Sequence, residues 1–151
     1  MRAFIASLGY AARGVGRAVQ AERNFRFELC AAVYVLLACP FFGFAPAEWA
    51  LVFLCIGGVL ALELVNSAIE RAVEDPDPAH WRPAGAAKDM AAGAVLAAGL
   101  AVLAAGVALF WRPGGWLALF GWFAARPAAL AALAASLPAA GWFVFGMGKK
   151  G

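Results

Sequence analysis

The sequence predicts an all-α protein: a polytopic membrane helical bundle with an N-terminal amphipathic surface helix, three core transmembrane helices and an extra C-terminal fourth. Three observations predict it. The 151 residues are 65% hydrophobic with a mean hydropathy of +0.81, well above the soluble share. Charged residues make up only 14% of the chain and are confined to a few places, leaving apolar runs that match the roughly 20 residues a helix needs to cross hydrocarbon. Proline and glycine cluster between those runs, where turns belong.

Residues 2–26 read as the surface helix. Phe4, Leu8, Ala11, Val15 and Val19 repeat at helical spacing, while Arg13, Arg17, Gln20 and Asn24 occupy another side. Basic residues on a polar face suit anionic head groups; a solvated helix packed on the rest of the protein is the other reading. A secretory signal is not expected, because the apolar stretch after Arg2 is short and is interrupted by Arg13 and Arg17.

The first span is expected at about 29–45, closing on the turn "PFFGFAPAEW" with Pro40, Gly43 and Pro46 as breakers and Trp49 as an interfacial aromatic. The second is expected at 50–73 and the third at 88–111, joined by the polar, proline-rich "EDPDPAHWRPAG". Residues 1–112 would form one domain and 113–151 a C-terminal extension. In that extension "WLALFGWFAAR" makes a helix of only about 16 Å, too short to cross. It reads as interfacial, followed by a fourth span despite Pro138; a re-entrant hairpin competes.

Orientation follows from the basic residues. Arg2, Arg13, Arg17, Arg23 and Arg26 precede the first span, and Arg71, Arg82 and Lys88 flank the loop between the second and third. The turn at 40–49 has no Lys or Arg, so the positive-inside rule puts the N-terminus and the 74–88 loop in the cytoplasm. A fourth span returns Lys149 and Lys150 to that side, while Arg112 and Arg126 run against the rule. Gly85, Gly93, Ala97, Ala101 and Ala105 form an i+4 ladder that also contains Asp89, a seam suited to close helix approach. Cys30, Cys39 and Cys55 lie in apolar stretches without metal or redox spacing and read as small hydrophobes.

The polar residues of "ELVNSAIE" stand out. Glu63, Asn66, Ser67 and Glu70 fall at i, i+3, i+4 and i+7 and share one helix face. A carboxylate inside a bilayer costs roughly 2.5–3.5 kcal/mol on insertion scales, so Glu63 is a functional candidate by default. "AERNFRFE" adds Glu22, Asn24, Arg26 and Glu28, and "AKDMAAGAV" adds Lys88 and Asp89, all able to reach one membrane–water boundary. Carboxylate oxygens beside phosphates suit Mg²⁺, and a carboxylate can deprotonate an attacking hydroxyl. The terminal "GMGKKG" has the wrong spacing for a P-loop.

These three motifs together resemble the prokaryotic diacylglycerol kinase and undecaprenol kinase family, over roughly residues 4–110. The resemblance implies a small integral membrane kinase that uses Mg²⁺ and ATP, assembles as a homotrimer with shared active sites, and binds no nucleic acid. It implies Glu63 as the base facing the lipid hydroxyl and Glu22 and Glu70 as Mg²⁺ ligands. Asn66, Lys88, Asp89 and Arg26 would serve the nucleotide, with Glu28, Asn24 and Ser67 supporting the substrate. The product would be undecaprenyl phosphate or phosphatidic acid, and "ERNFRFEL" and "AAGAV" look more like the undecaprenol branch. "AGAAKD" lacks a basic residue that relatives often carry before KD. His80 sits one position from a histidine common in that loop and reads as a solvent-exposed side chain. A proton or ion transporter using Glu63 and Asp89, or a non-catalytic membrane subunit, are the alternatives. The outer halves of the spans hold almost no ionisable residues, which argues against a relay across the bilayer.

Overall fold

The structure is a computed structural model and describes residues 1–74 and 81–147. His80, Lys149 and Lys150 lie outside the described residues. Within them the chain forms six α-helices: α1 (Arg2–Ala21), α2 (Arg23–Ala38), α3 (Pro46–Ala72), α4 (Trp81–Phe110), α5 (Pro113–Ala124) and α6 (Pro127–Gly146). A 3₁₀ turn covers Cys39–Phe42. Four segments are long and apolar enough to cross a membrane: Arg23–Phe42, Pro46–Ala72, Trp81–Phe110 and Pro127–Gly146. Leu37, Leu54, Leu100 and Leu137 on these segments are exposed, as they should be when the surrounding solvent is lipid. The chain is therefore an all-α, multi-pass membrane bundle.

Three helix starts and one end differ from the sequence expectation. α1 ends at Ala21 rather than at 26, because Glu22 is extended (φ −99°, ψ 114°). The Glu22 N–H still donates to the Ala18 carbonyl at 2.8 Å and closes α1, and Glu22 then caps α2. The first crossing segment consequently begins at Arg23, not near 29. α3 begins at Pro46 rather than 50, since proline suits a first helical position and the Glu48 carboxylate accepts the Ala45 N–H at 2.8 Å. α4 begins at Trp81 rather than 88: Pro83 stands in its first turn, where a missing N–H breaks no helical bond.

The helices run alternately between two ends of the bundle. α2 leads from the elbow at Glu22 to the 3₁₀ turn, α3 returns, and α4 leads away again. The far end is closed by Cys39, Val52 and Leu109, with Phe44, Trp49 and Phe110 around them. There α5 lies against the 3₁₀ turn: Phe42 meets Trp116 edge-on and covers Gly115, where any β-carbon would overlap the ring. Arg112, which ran against the charge rule, pairs with Glu48 and donates to the Phe42 carbonyl at 3.1 Å. α6 then comes back along α2, with the Tyr34 and Ser136 hydroxyls 3.0 Å apart, and stays helical through Pro138.

α1 stands largely clear of the bundle. Phe4, Ile5, Leu8 and Val15 are exposed while Ala18 is buried, so its apolar face is free for a membrane surface along most of its length. α4 packs on α3 through a stripe including Ala84, Ala91, Val95, Val102 and Leu109. Most of the expected ladder lies elsewhere: Gly85, Asp89, Gly93, Ala97 and Ala101 are exposed, and only its last member, Ala105, turns inward, where it is half-buried in the groove between α2, α3 and α4.

Candidate functional site

The last three turns of α3 carry the polar face inward. Glu63 is 4% exposed and Asn66 9%; Ser67 is also buried, and Glu70 is half-buried near the helix end. Burying polar groups among apolar helices is unfavourable unless partners exist. Asn66 Nδ2 donates to Glu70 Oε1 at 3.1 Å, one turn on, and this leaves Asn66 Oδ1 buried without a partner. Glu28 Oε2 is likewise buried and unpartnered.

The elbow between α1 and α2 brings the second set of groups. Glu22, Glu28 and Glu70 all lie within electrostatic reach of the Glu63 carboxylate, and Asn24 shares the lining of the same groove end. Glu22 Oε1 also accepts from Arg71 Nη2 at 2.8 Å. Four carboxylates and two amides from α2, α3 and the elbow thus meet at one end of the bundle.

From that meeting point an apolar groove of about 540 Å³ runs between α2, α3 and α4. Asn24, Glu28 and Glu63 line its polar end; Val52, Leu109 and Phe110 line the other. Along α3, Glu63 and Val52 are separated by about 16 Å of helix. Such a groove has the length and lining for an apolar chain, whose polar head would lie at Glu63.

The donor set fits a hard divalent cation. Glu22, Glu70 and the orphaned Asn66 oxygen would supply oxygens, the ligand type that Mg²⁺ takes together with water and phosphate. Among the described residues no group of three or more His, Cys, Asp or Glu side chains is arranged to hold a metal ion by itself, so any cation here would need water and phosphate oxygens to complete its shell.

Not every expected residue joins this cluster. Lys88 and Asp89 are exposed on α4, and no ion pair links them to the carboxylates among the described residues. Arg26, expected at the nucleotide, is instead 3% exposed, with its guanidinium hydrogen-bonded to the carbonyls of Val19, Gln20 and Val144. The structure turns it into the protein and away from any open nucleotide site. Conversely, the sequence reading missed Arg71 as a partner of Glu22 and Val144 as a partner of Arg26. Both contacts join residues far apart in the chain, and no local pattern announces them.

The family model for prokaryotic diacylglycerol kinase matches residues 9–110, from the middle of α1 to the end of α4. An undecaprenol kinase of Bacillus subtilis (strain 168) is 44% identical over 92 residues, covering 61% of this chain and 75% of that protein. A diacylglycerol kinase of Synechocystis sp. (strain ATCC 27184 / PCC 6803 / Kazusa) is 34% identical over 110 residues, covering 72% of this chain and 63% of that protein. No solved structure matches the chain significantly. The family match stops short of α5 and α6.

Proposed function

The chain belongs to the prokaryotic diacylglycerol kinase family, and we propose that it phosphorylates the hydroxyl of a membrane lipid alcohol with ATP at the cytoplasmic face of the bacterial cytoplasmic membrane. The observation that carries this reading is the apolar groove ending on the buried Glu63 carboxylate. A lipid alcohol entering laterally would place its tail in the groove and its hydroxyl at that carboxylate. Residues 1–112 would form the kinase domain and 113–151 its extension.

Glu63 takes the proton as the hydroxyl oxygen bonds to the γ-phosphorus. The bond from that phosphorus to the β–γ bridging oxygen breaks, and ADP leaves with the electron pair. Mg²⁺, when bound, would neutralise charge on the phosphate oxygens during this transfer. Glu22 and Glu70 would hold it, and Asn66 would orient Glu70 through its hydrogen bond, with its own unpartnered oxygen available as a further ligand. Glu28 and Asn24 border the lipid head, and Ser67 supports the same face of α3. Lys88 and Asp89, exposed about two turns into α4, would meet the nucleotide.

Undecaprenol is the proposed acceptor, giving undecaprenyl phosphate, in line with the undecaprenol kinase among the relatives; diacylglycerol would give phosphatidic acid. Assembly as a homotrimer is part of the proposal and rests on the family resemblance. The exposed small-residue ladder of α4 allows another copy to approach closely. The test is incubation of the purified full chain with γ-labelled ATP and Mg²⁺ in mixed micelles holding undecaprenol, diacylglycerol or neither. Label in undecaprenyl phosphate is the expected result. Label in phosphatidic acid alone reassigns the substrate, and no labelled lipid from either contradicts the kinase reading.

A further inference from the structure

The Arg26 guanidinium is buried without a carboxylate partner among the described residues. Its charge is met by helix ends instead. Nη1 donates to the Val19 and Gln20 carbonyls at 3.0 and 3.1 Å, in the last turn of α1. Nε and Nη2 donate to the Val144 carbonyl at 3.2 and 2.9 Å, in the last turn of α6. Carbonyls of a last helical turn lack intrahelical donors and form the negative end of the helix dipole, so one cation here caps two helices. The planar fork of arginine can reach both at once, which a lysine ammonium cannot do.

This double cap sits on the elbow that carries the site. The Arg26 backbone N–H donates to the Glu22 carbonyl at 3.3 Å, and Glu22 is the extended residue at which α1 turns into α2. Val144 is 4% exposed, and the Arg23 guanidinium packs over the Phe145 ring at 5.8 Å, so the end of α6 abuts the elbow on both sides of Asn24.

We propose that Arg26 is a positioning residue and that the end of α6, outside the family match, is a built-in part of the elbow that sets Glu22 and Asn24 for phosphoryl transfer. The proposal rests on the kinase reading for what the elbow does, but not for how the elbow is held. α6 is then a working part of this kinase and not only an additional membrane anchor.

The test uses the full chain with Arg26→Gln, Arg26→Lys and Val144→Lys, the last placing a second cation beside the buried guanidinium. Ser136→Ala, which removes the α6 contacts to Tyr34 and to the Leu133 carbonyl away from the elbow, is the control. Two measurements are made on each: the Mg²⁺ dependence of lipid phosphorylation, and amide hydrogen exchange over residues 19–24. All three test variants should raise the half-saturating Mg²⁺ concentration, by about tenfold or more, as loss of a ligand-orienting partner does. They should leave the KM for the lipid alcohol unchanged and speed exchange at the elbow, while Ser136→Ala changes neither. A lower rate with unchanged half-saturating Mg²⁺ would mean only fewer folded molecules and would overturn the proposal. Unchanged elbow exchange would overturn it too. If the unmodified chain phosphorylates no lipid, the kinase reading fails separately. The elbow is then judged by Mn²⁺ affinity from electron paramagnetic resonance: weaker binding in the three variants supports it, and equal binding overturns it.

Discussion

Asn66 donates to Glu70 at 3.1 Å, one turn along α3, and its own carbonyl oxygen stays buried without a partner on the same face. The pair holds one carboxylate still and offers a second oxygen beside it. Asn66→Ala removes both, and the protein should need about 10–100 times more Mg²⁺ for half-maximal activity. Its thermal stability should change little, because the orphaned buried oxygen disappears with the amide. A Mg²⁺ titration and a melting curve on the same preparation check both halves of this expectation.

Arg71 holds Glu22 by an ion pair at 2.8 Å, and both side chains are partly exposed. Such a pair contributes at most about 1 kcal/mol to stability. Its larger effect would be to neutralise a carboxylate that the proposed Mg²⁺ site uses. Arg71→Ala should therefore lower the half-saturating Mg²⁺ concentration severalfold, most clearly at low ionic strength, where the lost charge is least screened. A titration showing higher Mg²⁺ demand would instead make Arg71 a residue that places Glu22 correctly.

The groove makes a separate prediction. Gly99 and Gly106 line it, and a β-carbon at either position meets nothing within 4 Å. Gly99→Leu should fold, since leucine is the better helix former, and should fill part of the groove. The KM for the lipid alcohol should rise severalfold while the KM for ATP stays unchanged. Steady-state kinetics with each substrate varied in turn separates the two.

Much of this site was legible in the sequence, for a physical reason. A helix repeats every 3.6 residues, so Glu63, Asn66, Ser67 and Glu70 had to share a face wherever α3 packed. Polar residues in an apolar run are a strong contrast, and the fold used them as their spacing suggested. The elbow was not legible. Nothing around Glu22 breaks a helix by itself, and α1 ends there in a structure where Arg26 caps it across space. The packing face of α4 was hidden for the opposite reason. That helix is apolar nearly all round, so the small-residue ladder carried no information about which side would meet α3. The docking of α6 depended on Arg26 and Tyr34, residues that local periodicity cannot connect to Val144 and Ser136.

The far end of the bundle should be separable from the chemistry. Arg112 joins Glu48, the Phe42 carbonyl and the face of the Phe44 ring, tying α5 to the turn before α3. Arg112→Ala should lower the unfolding temperature and leave the activity per folded molecule unchanged, because its partners lie at the opposite end from Glu63. Thermal unfolding alongside specific activity, corrected for the folded fraction, checks this.

The most direct measurement is single-turnover phosphoryl transfer by Glu63→Gln with saturating lipid alcohol, ATP and Mg²⁺. Glutamine keeps the shape and the hydrogen-bonding capacity at the end of the groove but cannot take the proton. The rate should fall by about 10²–10⁴-fold, the usual contribution of a general base, with lipid binding and Mg²⁺ dependence unchanged. Transfer at the unmodified rate would contradict the role of Glu63 and place the base elsewhere among the carboxylates.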